Sequence, residues 1–147
     1  RTRRPMSLWR TVKQALGWQH EPEHLHRGRI GETAARRHLK RAGLKFLTSN
    51  YRTKSSEIDL VFRDGDCLVF VEVKARTEGG WTRPAAAVNQ RKRGLLGQAA
   101  KEYLRRIGNP ETKFRFDIVE VLLLDGNVSE VRHLPNAFPL TRTKRHA

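Results

Sequence analysis

Glu57-Ile58-Asp59-Leu60-Val61-Phe62-Arg63 is followed, after Asp64-Gly65-Asp66, by Cys67-Leu68-Val69-Phe70-Val71-Glu72-Val73-Lys74. Both runs are rich in β-branched and aromatic residues, and Asp64-Gly65 between them is a two-residue turn signal of the primed type. Strands over 57–63 and 67–74 follow. With that loop, Arg63 faces Asp66, Glu57 faces Glu72 and Asp59 faces Phe70. Side chains alternate along a strand, and directly paired residues share a face. Glu57, Asp59, Glu72 and Lys74 therefore emerge on one side, together with Val61, Leu68 and Phe70. Ile58, Leu60, Phe62, Val69, Val71 and Val73 form the other side. A one-residue change in loop length would exchange the faces of one strand and destroy this agreement.

Acids and a lysine within apolar strands are costly to bury unless they are paired or hold an ion. Asp59, twelve residues, Glu72, one residue, Lys74 is the chemistry that phosphodiester hydrolysis asks for. Two carboxylates offer hard oxygens to Mg²⁺ or Mn²⁺. Such an ion acidifies a bound water and neutralises charge on the scissile phosphate. A lysine beside it orients the water or steadies the transition state. The same residues also fit the wet face of a hairpin laced by cross-strand ion pairs. Two observations favour the site: its face also carries apolar residues, and it is an acidic spot in a very basic chain.

The 147 residues suit one domain with a real core. Thirty Lys and Arg against fifteen Asp and Glu give a formal charge of +15. That balance points to a polyanionic partner, most simply nucleic acid. Residues 1–30 carry seven Lys and Arg against two Glu, and 141–147 add Arg142, Lys144 and Arg145. Residues 1–27 are expected as a basic flexible segment, 28–140 as the domain and 141–147 as a basic tail. His20, His24 and His26 lack a metal-ligand spacing and are read as solvated. The single Cys67 fits a reducing compartment. No apolar run is long enough to span a bilayer, and the N-terminal segment has no secretory apolar core. A cytoplasmic protein without membrane contact is expected.

Ile30, Ala34, Ala35, Leu39 and Ala42 recur at a helical period over 29–43, with Gly43 as the stop. Glu32 stands in its first turn, either as a cap or as a further acid of the site. Residues 44–51 are expected as a strand and 77–87 as a loop. Residues 88–107 are expected as a second helix with Val88, Leu95, Leu96, Ala99, Tyr103, Leu104 and Ile107 inward. Strands over 113–124 and 127–134 flank Asp125-Gly126. The order is α-β-β-β-α-β-β.

Gly28-x-x-Gly31-Glu32-x-x-Ala35-x-x-x-Leu39-x-x-x-Gly43, Asn50-Tyr51-Arg52, Glu57-Ile58-Asp59-Leu60, Val69-Phe70-Val71-Glu72-Val73-Lys74-Ala75-Arg76 and Phe116-Asp117 together resemble the YraN family (uncharacterised protein family UPF0102) over residues 28–140. That family is similar to Holliday-junction resolvases and the restriction-endonuclease-like group with its PD-(D/E)-x-K signature. The resemblance implies an α/β (α+β) fold with a mixed central sheet flanked by helices, and metal-dependent cleavage of DNA. It implies Asp59, Glu72 and Glu32 as ligands of Mg²⁺ or Mn²⁺, and Lys74 as the signature lysine. Gln90 or Lys92 would match a polar residue of the second helix, and Ile58 stands where the signature has proline. Resolvases act as dimers, which carries a homodimer as an expectation.

The function expected is a metal-dependent endonuclease on DNA, branched DNA being the narrower expectation and RNA staying open. Arg76, Gln90, Arg91, Lys92 and Arg93 are the candidate backbone contacts. The alternative is a nucleic-acid-binding module that keeps the fold without cutting. A scaffold whose tails recruit a protein partner is a third.

Overall fold

The computed structural model describes residues 23–54, 56–77 and 88–140. The expectations for residues 1–22 and 141–147, and for nearly all of the 77–87 loop, lie outside the described residues. Among these residues the chain forms helix α1 (Glu23–Arg41), strands β1 (Lys45–Arg52), β2 (Glu57–Asp64) and β3 (Cys67–Thr77), helix α2 (Gln90–Arg106), and strands β4 (Lys113–Leu124) and β5 (Asn127–Phe138). The order matches the sequence reading. No helix among them is long and apolar enough to cross a membrane.

The five strands form one sheet in the order β1-β2-β3-β4-β5. β3 and β4 run parallel and the other neighbours antiparallel. The parallel pair requires a crossover, and the chain between β3 and β4 supplies it with α2. Each sheet face carries its own core. Val61, Leu68, Phe70, Phe116 and Ile118 pack with Leu96, Ala99 and Ala100 of α2. Leu60, Phe62, Val69, Val71, Val119 and Val121 pack with Ala35 and Leu39 of α1. The expected fold class, an α+β arrangement around a mixed sheet, is what the chain adopts.

Helix α1 begins at Glu23, six residues before the expected start at 29. Its first turns hold no apolar residue at core spacing, so the periodicity that marks the helix begins only near Ile30. It ends as expected at Gly43, which takes φ +95° while Leu44 N–H bonds Leu39 O at 3.1 Å. Only a residue without Cβ adopts that conformation cheaply. Gly31 is needed for close approach instead, because a Cβ there would stand 2.9 Å from Ala75 Cβ. The bare backbone lets α1 lie against β3 and carries Glu32 to the sheet.

Three local expectations are corrected. The hairpin closes at Asp64 opposite Cys67, so its loop is Gly65-Asp66, with Gly65 at φ +57°. A glycine with positive φ at the first loop position is the pattern of a II′ turn. The pairing therefore moves by two positions along β3, an even number that leaves every face assignment of β3 intact. Secondly, Ile58 packs with Val61 beneath α2 rather than with Leu60 and Phe62. The alternation breaks between 58 and 61, where the β2–β3 ladder ends. Thirdly, α2 stops at Arg106 and leaves Ile107 46% exposed. β5 runs on to Phe138 past Pro135, which an edge strand accommodates.

Candidate metal and phosphate site

β2 pairs with β3 from Asp64–Cys67 as far as Leu60–Val71, while its pairing with β1 continues to Arg52–Glu57. β2 and β3 therefore fork above Leu60, and Asp59 stands in the fork. Continuing the register by one step sets Asp59 directly across from Glu72, not diagonal to it as expected. Val73 N–H donates to Asp59 Oδ2 at 2.8 Å. The carboxylate takes the place of the ladder acceptor that the fork removes. This bond fixes the Asp59 side chain towards β3.

Glu72 is 5% exposed. Its Oε1 lies 3.5 Å from Lys74 Nζ and 3.7 Å from Lys92 Nζ. Its Oε2 is buried and has no hydrogen-bond partner. An unsatisfied buried acceptor is unfavourable by itself, and a bound cation would satisfy it. Lys92 arrives from the first turn of α2, where Lys92 N–H donates to Asn89 Oδ1 at 2.9 Å and caps the helix.

The Asp59 carboxyl is pushed up to about 7, first by burial and then by the negative Glu72 beside it. The close approach of the two carboxyl groups adds to the rise, while the Val73 N–H and the Lys92 ammonium oppose it. Without a cation, two acids this close retain a proton near neutral pH. That is the electrostatic condition in which a divalent cation displaces a proton and relieves the repulsion.

Glu32 lines the same cleft as Asp59, a cavity of about 520 Å³ between α1 and the fork. Asn50 Nδ2 donates to Glu32 Oε1 at 3.0 Å and holds the acid on the α1 side. His24 also faces the cleft, and Glu57 is turned to Arg52 at 3.1 Å. Among the described residues no three His, Cys, Asp or Glu side chains stand close enough to hold a metal ion together. Asp59 and Glu72 thus form a pair, and Glu32 faces the cleft of Asp59 from α1. The pair still fits Mg²⁺, which keeps several waters and is commonly held by one or two carboxylates plus substrate phosphate.

The candidate phosphate contacts divide. Gln90 and Arg91 are exposed at the start of α2. Lys92 belongs to the site through Glu72. Arg93 donates from Nε to Val88 O at 2.9 Å and stacks over Phe138 at 5.2 Å. Arg76 continues the Glu72–Lys74 row along β3, with its Nε buried and unbonded.

Asp117 lies elsewhere. It is fully buried and accepts from Arg115 Nε at 3.0 Å and Asn136 N–H at 2.9 Å, with His133 Nε2 at 2.7 Å. Burial alone would raise its carboxyl, but the bonds from His133 and Arg115 prevail and lower it. It locks the β4–β5 irregularity beside Phe116, where Asn136 takes φ +50°. Asp117 of the Phe116-Asp117 motif is thus an inward-facing structural acid.

Sequence reading assigned Asn50 no role beyond its place in the Asn50-Tyr51-Arg52 motif, and Asn89 was missed. Asn89 was accessible as a cap residue three positions before Lys92. Asn50 gave no comparable signal, because its partner Glu32 lies on another element.

The model of the uncharacterised protein family UPF0102 matches residues 31–121. A UPF0102 protein of Alkaliphilus oremlandii is 40% identical over 113 residues, covering 76% of this chain and 96% of its own. One of Pelotomaculum thermopropionicum is 40% identical over 112 residues, covering 76% of this chain and 93% of its own. One of Porphyromonas gingivalis is 40% identical over 119 residues, covering 80% and 87%. The matched segment runs from Gly31, where α1 meets β3, through the fork and α2 to Val121 of β4, and this chain belongs to the uncharacterised protein family UPF0102.

Proposed function

We propose that this chain is a divalent-metal-dependent endonuclease acting on DNA. The single observation that carries the reading is the Asp59–Glu72 pair in the β2–β3 fork, with an unpartnered Glu72 Oε2 and two lysine ammonium groups beside it. Asp59 and Glu72 would hold Mg²⁺ or Mn²⁺. When bound, such an ion supplies an acidified water and neutralises charge on the scissile phosphate. Lys74, anchored on β3, would orient the attacking water or meet a phosphate oxygen. Lys92 brings a second positive charge from α2 to the same carboxylate. Glu32, held by Asn50 across the cleft, would take water-mediated contacts to the ion. Arg76 and Arg91 flank the site with charge for the backbone, and the net +15 draws polyanions to the surface.

The test is cleavage of duplex, single-stranded and four-way DNA, and of RNA, with Mg²⁺ or Mn²⁺. Cutting is expected to fall at least about 100-fold in Glu72→Ala and in Lys74→Ala. Metal-dependent cutting that survives both changes refutes this site.

One observation favours a second reading, a binding module without catalysis. Both lysines are ion-paired to Glu72, and no third ligand stands in place among the described residues. That reading expects salt-sensitive DNA binding, indifferent to metal and to Lys74→Ala.

A further inference from the structure

Glu120 is fully buried, and neither of its carboxylate oxygens has a hydrogen-bond partner. It lies on β4 between two cationic register neighbours, Lys74 on β3 and Arg132 on β5. Arg132 ion-pairs with Glu130 at 3.7 Å. Lys74 leans along its own strand to Glu72. Glu72 is paired with Ile118, two residues before Glu120, so both acids share the sheet face beneath α2. Lys74 therefore stands on one sheet face with two acids, and among the described residues its ion pair is with Glu72.

A carboxylate buried without a partner breaks the packing rule that Asp117, the other fully buried acid, obeys. Such breaks mark positions kept for function. Here a cation stands at the register position directly across from the acid, Lys74 on β3. Neighbouring strands lie about 4.8 Å apart, and a lysine ammonium on its flexible stem reaches across that distance. A cation on Glu72 would repel the ammonium now 3.5 Å from the same carboxylate. We infer that Glu120 is a positioning residue that receives the Lys74 ammonium when the Asp59–Glu72 pair takes up a divalent cation. The inference rests on the metal-binding reading above. Glu120 then keeps Lys74 ordered beside the site and offsets its repulsion from the ion.

The inference makes opposite demands on stability and on binding. In the metal-free full chain, Glu120→Gln removes a buried carboxyl group that has no hydrogen-bond partner and raises the melting temperature by about 2–8 °C. The same change weakens Mn²⁺ binding about tenfold by calorimetry. In a Lys74→Met background, Glu120→Gln leaves the Mn²⁺ dissociation constant unchanged. Carboxyl-carbon NMR of the unmutated chain needs no variant: on adding Mg²⁺, the Glu120 signal moves together with the Lys74 ammonium signal. A lower melting temperature with unaltered Mn²⁺ affinity makes Glu120 a structural counter-ion and overturns the inference. So does equal weakening with and without Lys74, or a Glu120 signal that ignores Mg²⁺. An unmutated chain that binds no Mn²⁺ defeats the parent reading as well, whereas one that binds it with Glu120 silent defeats this inference alone.

Discussion

Asp117 and Asp59 are aspartates of one sheet in opposite surroundings. Asp117 accepts from Arg115 and Asn136, meets His133 at 2.7 Å, and its carboxyl is held low. Asp59 accepts one backbone N–H, faces a second acid, and its carboxyl is pushed up to about 7. The first is what a buried charge needs for stability. The second leaves two acids facing each other, and the proposed divalent cation would supply the charge they lack. The β4–β5 end of the sheet is closed by its own groups, and the β2–β3 fork is not.

Substitutions should separate the two ends. Asp117→Ala strands Arg115 and releases the β5 irregularity, so urea unfolding should show a loss of about 3–5 kcal/mol. Mn²⁺ binding by the molecules that remain folded should not change. A loss below about 1 kcal/mol would erase the contrast.

Asp59→Asn should do the reverse without metal. A carboxyl raised from 3.8 to about 7 favours the folded state at low pH. That contribution fades as pH rises from about 4 through 7, and above pH 7 the ionised pair is a burden. The variant should match the unmutated chain near pH 4 and exceed it at pH 8 by on the order of 2 kcal/mol. A variant less stable at pH 8 would mean that the pair is satisfied after all.

Gly31→Ala tests how α1 is seated on the fork. Its Cβ would stand 2.9 Å from Ala75 Cβ, against backbone-anchored atoms that cannot rotate away. Thermal unfolding should show a loss of about 1–3 kcal/mol. The smallest effect belongs to Arg52→Ala, which removes the exposed pair with Glu57. It should change stability by less than about 0.5 kcal/mol.

Much of this was legible in the sequence. The element order followed from periodicities of 3.6 and 2 and from Gly43, Asp64-Gly65 and Asp125-Gly126. Glu72 and Lys74 shared a face because alternation along one strand is local. What the sequence hid was relational. The turn residues were misplaced by one, since Asp64-Gly65 and Gly65-Asp66 both read as hairpin loops, and only cross-strand packing chooses between them. The fork at Asp59 was hidden because a side chain replaces a ladder acceptor there, which no periodicity reports. Glu32 carried no signal of its distance from the pair, since helix seating depends on the contact of Gly31 with Ala75. Glu120 did carry a signal, an acid inside Ile118-Val119-Glu120-Val121, the same signal that marked Glu72.

If the Asp59–Glu72 pair holds a divalent cation, a Mn²⁺ titration of thermal stability will reveal it. Binding to the folded state alone stabilises by mass action, about 2.7 kcal/mol at a hundredfold excess over the dissociation constant. The melting temperature should climb with Mn²⁺ in the unmutated chain and stay flat in Asp59→Ala. A flat response in the unmutated chain, or an equal climb in both, would contradict it.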